Sequence, residues 1–166
     1  MERIVIIGCP GCGKSTLARE LGEILNLTVV HLDRLWWTKG WQNVSREEFD
    51  ARLENALKLD RWIIDGNYSR TMDARLQKCD TIIWLDYSRL SCLWGMFQRV
   101  VLNYGKNRPD MPEGCPERFD WEFVKFIWDF NKNNRVLNAT RIAKSKHARA
   151  IVLKSRKETR QFLMQL

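Results

Sequence analysis

The feature that most narrows the fold is the run Gly8-Cys9-Pro10-Gly11-Cys12-Gly13-Lys14-Ser15, which fits G-x-x-x-x-G-K-[ST]. The apolar stretch Ile4 to Ile7 precedes it, and Leu17, Leu21 and Leu25 follow at helical spacing. A strand, a glycine-rich turn and a helix in that order make a phosphate-binding loop. Glycines let backbone N–H groups curl around phosphate oxygens, and the helix N-terminus adds partial positive charge at the same point. Gly8, Gly11, Cys12, Gly13, Lys14, Ser15 and Thr16 are the expected nucleotide contacts. Lys14 is expected to reach the β- and γ-phosphates, and the Ser15 hydroxyl to ligate Mg²⁺, so ATP with Mg²⁺ is the expected ligand pair.

A chain of 166 residues has room for one domain with a sizeable core, and residues 1–166 are read as that single domain. No apolar run is long enough to cross a bilayer, and the run after Arg3 is too short for a signal peptide, so a cytoplasmic location is expected. Cys79, Cys92 and Cys115 are too scattered to suggest a metal site and are expected to pack as thiols. Cys9 and Cys12 form a C-x-x-C pair that, read alone, suggests a redox dithiol; their place inside the phosphate loop makes that the weaker reading. The helix N-terminus and Lys14 should favour thiolate, so Cys12 is expected to react faster than Cys79 or Cys92.

Apolar runs alternate with helical patterns along the whole chain, as in β-α units around a parallel sheet. The expected strands are Ile4 to Ile7, Thr28 to Leu32, Trp62 to Ile64, Thr81 to Leu85 and Ala150 to Leu153. Phe49, Leu53, Ala56 and Leu57 share a helix face, and Ser45 with Glu48 makes a capping box at its start. Trp121, Val124, Ile127 and Trp128 share a face of a later helix and are expected in the core.

The ends of the strands carry the carboxylates. Trp62-Ile63-Ile64-Asp65-Gly66 closes a strand on an acid and a glycine, as expected of an aspartate that holds Mg²⁺ through water, so Asp65 is the candidate metal-side carboxylate. Asp86 also ends a strand but runs into a helix, where capping is its expected role. His31-Leu32-Asp33 closes another strand at the same crevice; Asp33 is the candidate base for an acceptor hydroxyl, while His31 is read as a core or hinge residue.

Residues 104–119 hold Gly105, Pro109, Pro112, Gly114 and Pro116 among charged residues, a long loop expected to act as a lid over the site. Phosphoryl transfer spreads negative charge over the moving oxygens, and Arg99, Arg108 and Arg118 are placed in or before this lid to meet it. Trp36, Trp37 and Trp41 either stack on an acceptor ring or pack a hinge.

The net charge of +8 is uneven: Asn131 to Arg160 contains ten Lys or Arg and the single acid Glu158. A solvated helix face accounts for this, and so does weak, non-specific nucleic-acid binding, since no groove-reading motif accompanies the charge.

Together the phosphate loop, Asp33, Asp65-Gly66 and an arginine-bearing lid resemble the adenylate-kinase-like small-molecule and nucleotide kinases. His31-Leu32-Asp33, Trp62 to Arg70, Arg108-Pro109-Asp110 and Gly114 to Arg118 resemble, more narrowly, the bacterial topology modulation proteins grouped with them. The resemblance implies an α/β P-loop fold whose five-stranded parallel sheet has the order 2-3-1-4-5, flanked by helices, with the lid closing over ATP. It implies nucleotide roles for Gly8, Gly13, Lys14 and Ser15, and the magnesium side for Asp65. Asn67-Tyr68 stand where adenylate kinases carry an aromatic and a proline, which argues against AMP as the acceptor. The expected function is an ATP-dependent phosphotransferase acting on a nucleoside, nucleotide or other hydroxyl-bearing metabolite. A nucleic-acid-associated ATP-binding protein that affects DNA topology, and a nucleotide-binding regulator with negligible turnover, are the alternatives.

Overall fold

The strands β1 (Arg3–Gly8), β5 (Trp62–Asp65) and β6 (Thr81–Leu85) are nearly continuous apolar runs, the pattern of strands covered on both faces. In the structure, a computed structural model describing Met1 to Leu166, they form the centre of a parallel sheet. β2 (Thr28–His31) pairs outside β5, and β7 (Arg149–Leu153) outside β6. The order β2-β5-β1-β6-β7 becomes 2-3-1-4-5 when the sheet's own strands are numbered along the chain, as the sequence leads one to expect.

Side chains alternate across β1, so its two faces seed two cores. Ile4 and Ile6 pack with Leu17 and Leu21 of α1 (Lys14–Leu25), Cys92 and Met96 of α5 (Arg89–Asn103), and Ile127 and Phe130 of α6 (Trp121–Lys144). Val5 and Ile7 pack with Phe49 and Leu53 of α3 (Arg46–Ala56) and with Met72 and Leu76 of α4 (Met72–Lys78). The capping box starts α3 where expected: Ser45 Oγ accepts from the Glu48 N–H at 3.1 Å.

Four local expectations are corrected. The second strand ends at His31 because Leu32 already begins the short helix α2 (Leu32–Trp36). This leads into a hairpin of β3 (Trp37–Thr38) and β4 (Gln42–Asn43) that the apolar pattern did not signal. Asp86 is not a cap: Ser88 caps α5, and Asp86 instead receives Arg135 of α6 at 2.7 Å. Trp121 and Trp128 are exposed rather than core, because α6 turns Ile127 and Phe130 inward and the tryptophans face away. Trp128 lies under the Arg89 guanidinium, 4.4 Å from its ring centre. The chain closes with α7 (Arg156–Leu163), capped by Ser155. No helix is long and apolar enough to cross a membrane.

The lid segment, residues 104–119, has no regular helix and is tied down at three points. Tyr104 and Glu117 form a β-bridge, with the Gly105 N–H donating to the Glu117 carbonyl at 2.9 Å. The Gly40 N–H donates to Gly114 at 2.9 Å, and Cys115 Sγ donates to the Thr38 carbonyl at 3.0 Å. The lid therefore rests on the β3–β4 hairpin.

Candidate active site

The carboxyl ends of β1, β5 and β2 open on one cleft of about 650 Å³. This is the crevice in which parallel α/β sheets hold ligands. Between β1 and α1 the chain turns on Gly8, Gly11 and Gly13, at φ +152°, +81° and +96°. Gly13 occupies the N-cap of α1 without any side-chain cap, which leaves the first-turn amides free for an anion. Gly11 has no room for a side chain: a Cβ there would lie 2.2 Å from the Cys92 carbonyl oxygen of α5, and one on Gly95 would lie 2.1 Å from the Gly11 oxygen. Helix α5 thus presses directly on the loop.

Lys14 donates to the carbonyls of Gly8 and Cys9 at 2.9 and 3.2 Å. Asn67, just after β5, embraces Gly8 from the other side, donating to its carbonyl at 2.9 Å and accepting from its N–H at 3.2 Å. Arg75, fully buried on α4, holds this turn by donating to the carbonyls of Gly66, Asn67 and Tyr68. Burial lowers its guanidinium to about 9, so it stays charged at neutral pH. Neither Asn67 nor Arg75 was foreseen as a site residue. Arg75 shares no motif with the turn it holds, and only the packing of α4 reveals it.

The carboxylates divide into two sets. Asp65 is buried at the end of β5, where one oxygen accepts from Ser15 Oγ at 2.7 Å and the other meets His31 Nδ1. Because β2 and β5 pair with His31 opposite Asp65, the histidine is buried in the core, as expected, and partners the candidate metal-side carboxylate there. Ser15 and Asp65 are two hard oxygen donors side by side, a set that fits Mg²⁺ completing its shell from phosphate oxygens and water. No group of three or more His, Cys, Asp or Glu stands ready as a protein-only cage.

Asp33 faces the same cleft from α2 and accepts from the Tyr68 hydroxyl at 2.8 Å. It keeps some access to water yet lies deep among protein atoms. Burial raises its carboxyl above the usual range, against the lowering effect of the Tyr68 hydrogen bond.

Arg99, Arg108 and Arg118 all line the cleft. The Nε atoms of Arg99 and Arg108 both sit 2.9 Å from Oε2 of the buried Glu117, as ion pairs whose angles fall outside hydrogen-bond geometry. Arg99 adds a longer hydrogen bond to Oε1 at 3.3 Å, and Arg108 a second pair to Asp110 at 3.1 Å. Burial, with the neighbouring Arg108 adding to it, lowers Arg99 from its ordinary value. Arg118 instead lies over Trp41, 5.2 Å from the ring centre.

Trp37 and Trp41 meet edge to face on the cleft wall, whereas Trp36 packs against Phe49 away from it. Trp36 and Phe49 border a smaller cavity of about 300 Å³ that shares Tyr68 with the cleft but none of its carboxylates. Arg156, at the start of α7, reaches the cleft beside the Gly11 carbonyl at 3.5 Å. In the sequence Arg156 stands only as part of the basic run from Asn131 to Arg160.

Of the expected nucleotide contacts, Gly11, Gly13, Lys14, Ser15 and Thr16 line the cleft, while Gly8 and Cys12 do not. The expected reactivity of Cys12 is corrected: its side chain points into the core, and burial pushes the thiol up to about 11, outweighing Lys14. All five cysteines are buried free thiols.

Among the solved structures that share this fold are two shikimate kinases and a gluconokinase. A shikimate kinase from Acinetobacter baumannii in complex with shikimate superposes with a TM-score of 0.63 at 14% identity, over 99% of this chain and 90% of that one. A shikimate kinase from Bacteroides thetaiotaomicron gives 0.58 at 15% identity, over 99% and 95%. A gluconokinase from Sinorhizobium meliloti 1021 gives 0.58 at 12%, over 99% and 92%. Among curated proteins no sequence matches. The family profile described as AAA domain matches residues 4–102, which hold the phosphate loop, Asp33, Asp65 and Arg99. With well over half its length matched, the chain belongs to this AAA-domain family of P-loop NTPases.

Proposed function

We propose that the protein is an ATP-dependent kinase for a small hydroxyl-bearing metabolite. The observation that carries this reading is Asp33, a carboxylate held by Tyr68 in the same cleft as Lys14 and the Ser15–Asp65 pair. A nucleotide switch or motor has no need of a second, proton-seeking carboxylate there; a kinase needs one for its acceptor.

In this reading the free amides at the start of α1, with Lys14, hold the β- and γ-phosphates. Ser15 and Asp65 would hold Mg²⁺, which supplies charge neutralisation between those phosphates. Asp33 takes the proton of the acceptor hydroxyl as its oxygen bonds to the γ-phosphorus and the bond to the ADP oxygen breaks. Burial makes Asp33 a stronger base than a free aspartate, which favours that transfer. Arg99, Arg108 and Arg118, which line the same cleft, would meet the negative charge that spreads over the transferring oxygens. Tyr68 and Arg75 position Asp33 and the adjoining turn. The acceptor named for each solved relative, shikimate or a sugar acid, carries hydroxyl groups, which supports the class without naming the compound.

The test is ADP release with ATP, Mg²⁺ and a panel of hydroxyl compounds that includes shikimate, gluconate and nucleosides. Release above the acceptor-free rate for one compound, abolished in Asp33→Asn, is the expected result. Uniform background across the panel with tight ATP binding would point to the regulator reading instead.

The resemblance to topology modulation proteins supports a second reading, nucleic-acid association. Lys132, Lys144, Lys146 and Lys157 are exposed and carry no carboxylate partner. Arg135 and Arg141, by contrast, are engaged with Asp86 and Asp73. Binding of duplex DNA measured by anisotropy should be weak and collapse as salt rises; tight sequence-selective binding would favour this second reading.

A further inference from the structure

Helix α5 has two faces of opposite character. Its inner face is fully used, with Cys92 and Gly95 against the phosphate loop, Met96 and Val100 in the core, and Arg99 in the cleft. Its outer face carries Leu90, Trp94, Phe97 and Val101, continued by Tyr104 at the C-cap. These five residues are spaced 4-3-4-3 and are between 52 and 71% exposed. That spacing is the seam of a helix that packs against another helix, yet no element of the fold covers it.

We propose that this stripe is the contact between two copies of the chain in a symmetric dimer. Antiparallel packing about a two-fold axis at Phe97 sets Trp94 of one copy against Val101 of the other, and Leu90 against Tyr104. Large residues then face smaller ones, and the surface is self-complementary as an isologous interface requires. No charge opposes this: α5 contains no Asp or Glu, and both its arginines are turned aside, Arg89 over Trp128 and Arg99 to Glu117.

Area supports the same occupant. At the observed exposures the five side chains present roughly 700 Å², within the ~600–1,000 Å² each partner gives to a standard interface and above the ~300–600 Å² patch of a typical monomer. A membrane surface is the competing partner. It calls for cations beside the apolar stripe, and the two cations of α5 are already engaged.

Sedimentation of the full chain at several concentrations tests this. The expected species has twice the 19.7 kDa chain mass, and Phe97→Asp, which sets two carboxylates against each other on the axis, is expected to be monomeric with unchanged ATP binding. Phe97→Cys treated with copper phenanthroline should give a disulfide-linked dimer, and Leu90→Cys should not, because the native cysteines are buried and only residue 97 meets itself. A monomeric wild type at every concentration overturns the proposal. So does a Phe97→Asp dimer, cross-linking through Leu90→Cys in place of Phe97→Cys, or a monomer that cosediments with anionic lipid vesicles.

Discussion

The phosphate loop and the lid bound the same cleft but are built from different material. The loop works with backbone: glycines at positive φ, uncapped amides of α1, and an Asn67 side chain that mimics a paired strand across Gly8. The lid works with side chains: its buried Glu117 holds its own Arg108 and Arg99 of α5 in the cleft. Backbone dipoles are set once the chain turns and need no compensation. Buried guanidinium groups must be neutralised nearby or the lid will not lie down. The loop is therefore expected to tolerate changes of charge in its side chains structurally, and the lid is not.

The largest test of that contrast is Glu117→Gln. It leaves Arg99 and Arg108 facing each other with Asp110 as the remaining acid, and removing one partner of a buried ion pair is expected to cost about 3 kcal/mol. Urea unfolding measures it. An unchanged midpoint would mean that the lid is held by its hydrogen bonds to the hairpin and not by charge.

Next comes Asp33→Asn, expected to lower kcat roughly a hundredfold or more with the acceptor found in the panel. Its effect on stability has the opposite sign. The raised carboxyl means that the folded state binds more protons than the unfolded state between the ordinary aspartate value, about 3.9, and the raised one. Stability therefore falls as pH rises through that window. Asp33→Asn should remove that slope and melt slightly higher than the wild type above the window, as differential scanning calorimetry would read. A lower melting temperature would show that the carboxylate is a structural group.

Lys14→Ala should weaken ATP binding roughly ten- to hundredfold, the worth of charge-assisted hydrogen bonds to phosphate, while leaving the melting temperature nearly unchanged. Isothermal titration gives the first number, and loss of fold in this variant would break the contrast between loop and lid. The smallest effect is expected at Cys12. Alkylation of the native protein should be negligible with or without nucleotide, since the thiol is buried and shifted up to about 11. Mass mapping that finds fast, nucleotide-protected labelling would place the side chain in the cleft.

What could be read from the chain alone follows the same division. The central strands β1, β5 and β6 were legible because strands covered on both faces must be apolar throughout, and the loop because its chemistry is local and contiguous. Asp33 and Asp65 were legible as acids closing apolar runs. His31 was legible as a core residue, but its partnership with Asp65 was not, because that depends on the register between β2 and β5, which no local pattern encodes. Arg75 was invisible because its partners are four carbonyls, groups every residue possesses. Trp121 and Trp128 were misplaced for a related reason: periodicity says which residues share a face, not whether anything covers it.

The close approach of α5 to the phosphate loop also governs which substitutions the protein can accumulate. Gly13 and Gly105 are surrounded by open space, and a side chain there meets only the moderate penalty of a positive φ. Gly11 and Gly95 are shut by backbone oxygen on both sides, so neither can change unless the helix moves away from the loop. Two positions 84 residues apart are thus frozen as a pair, and a complete substitution map of the gene should show both as blanks where Gly13 and Gly105 accept at least small side chains.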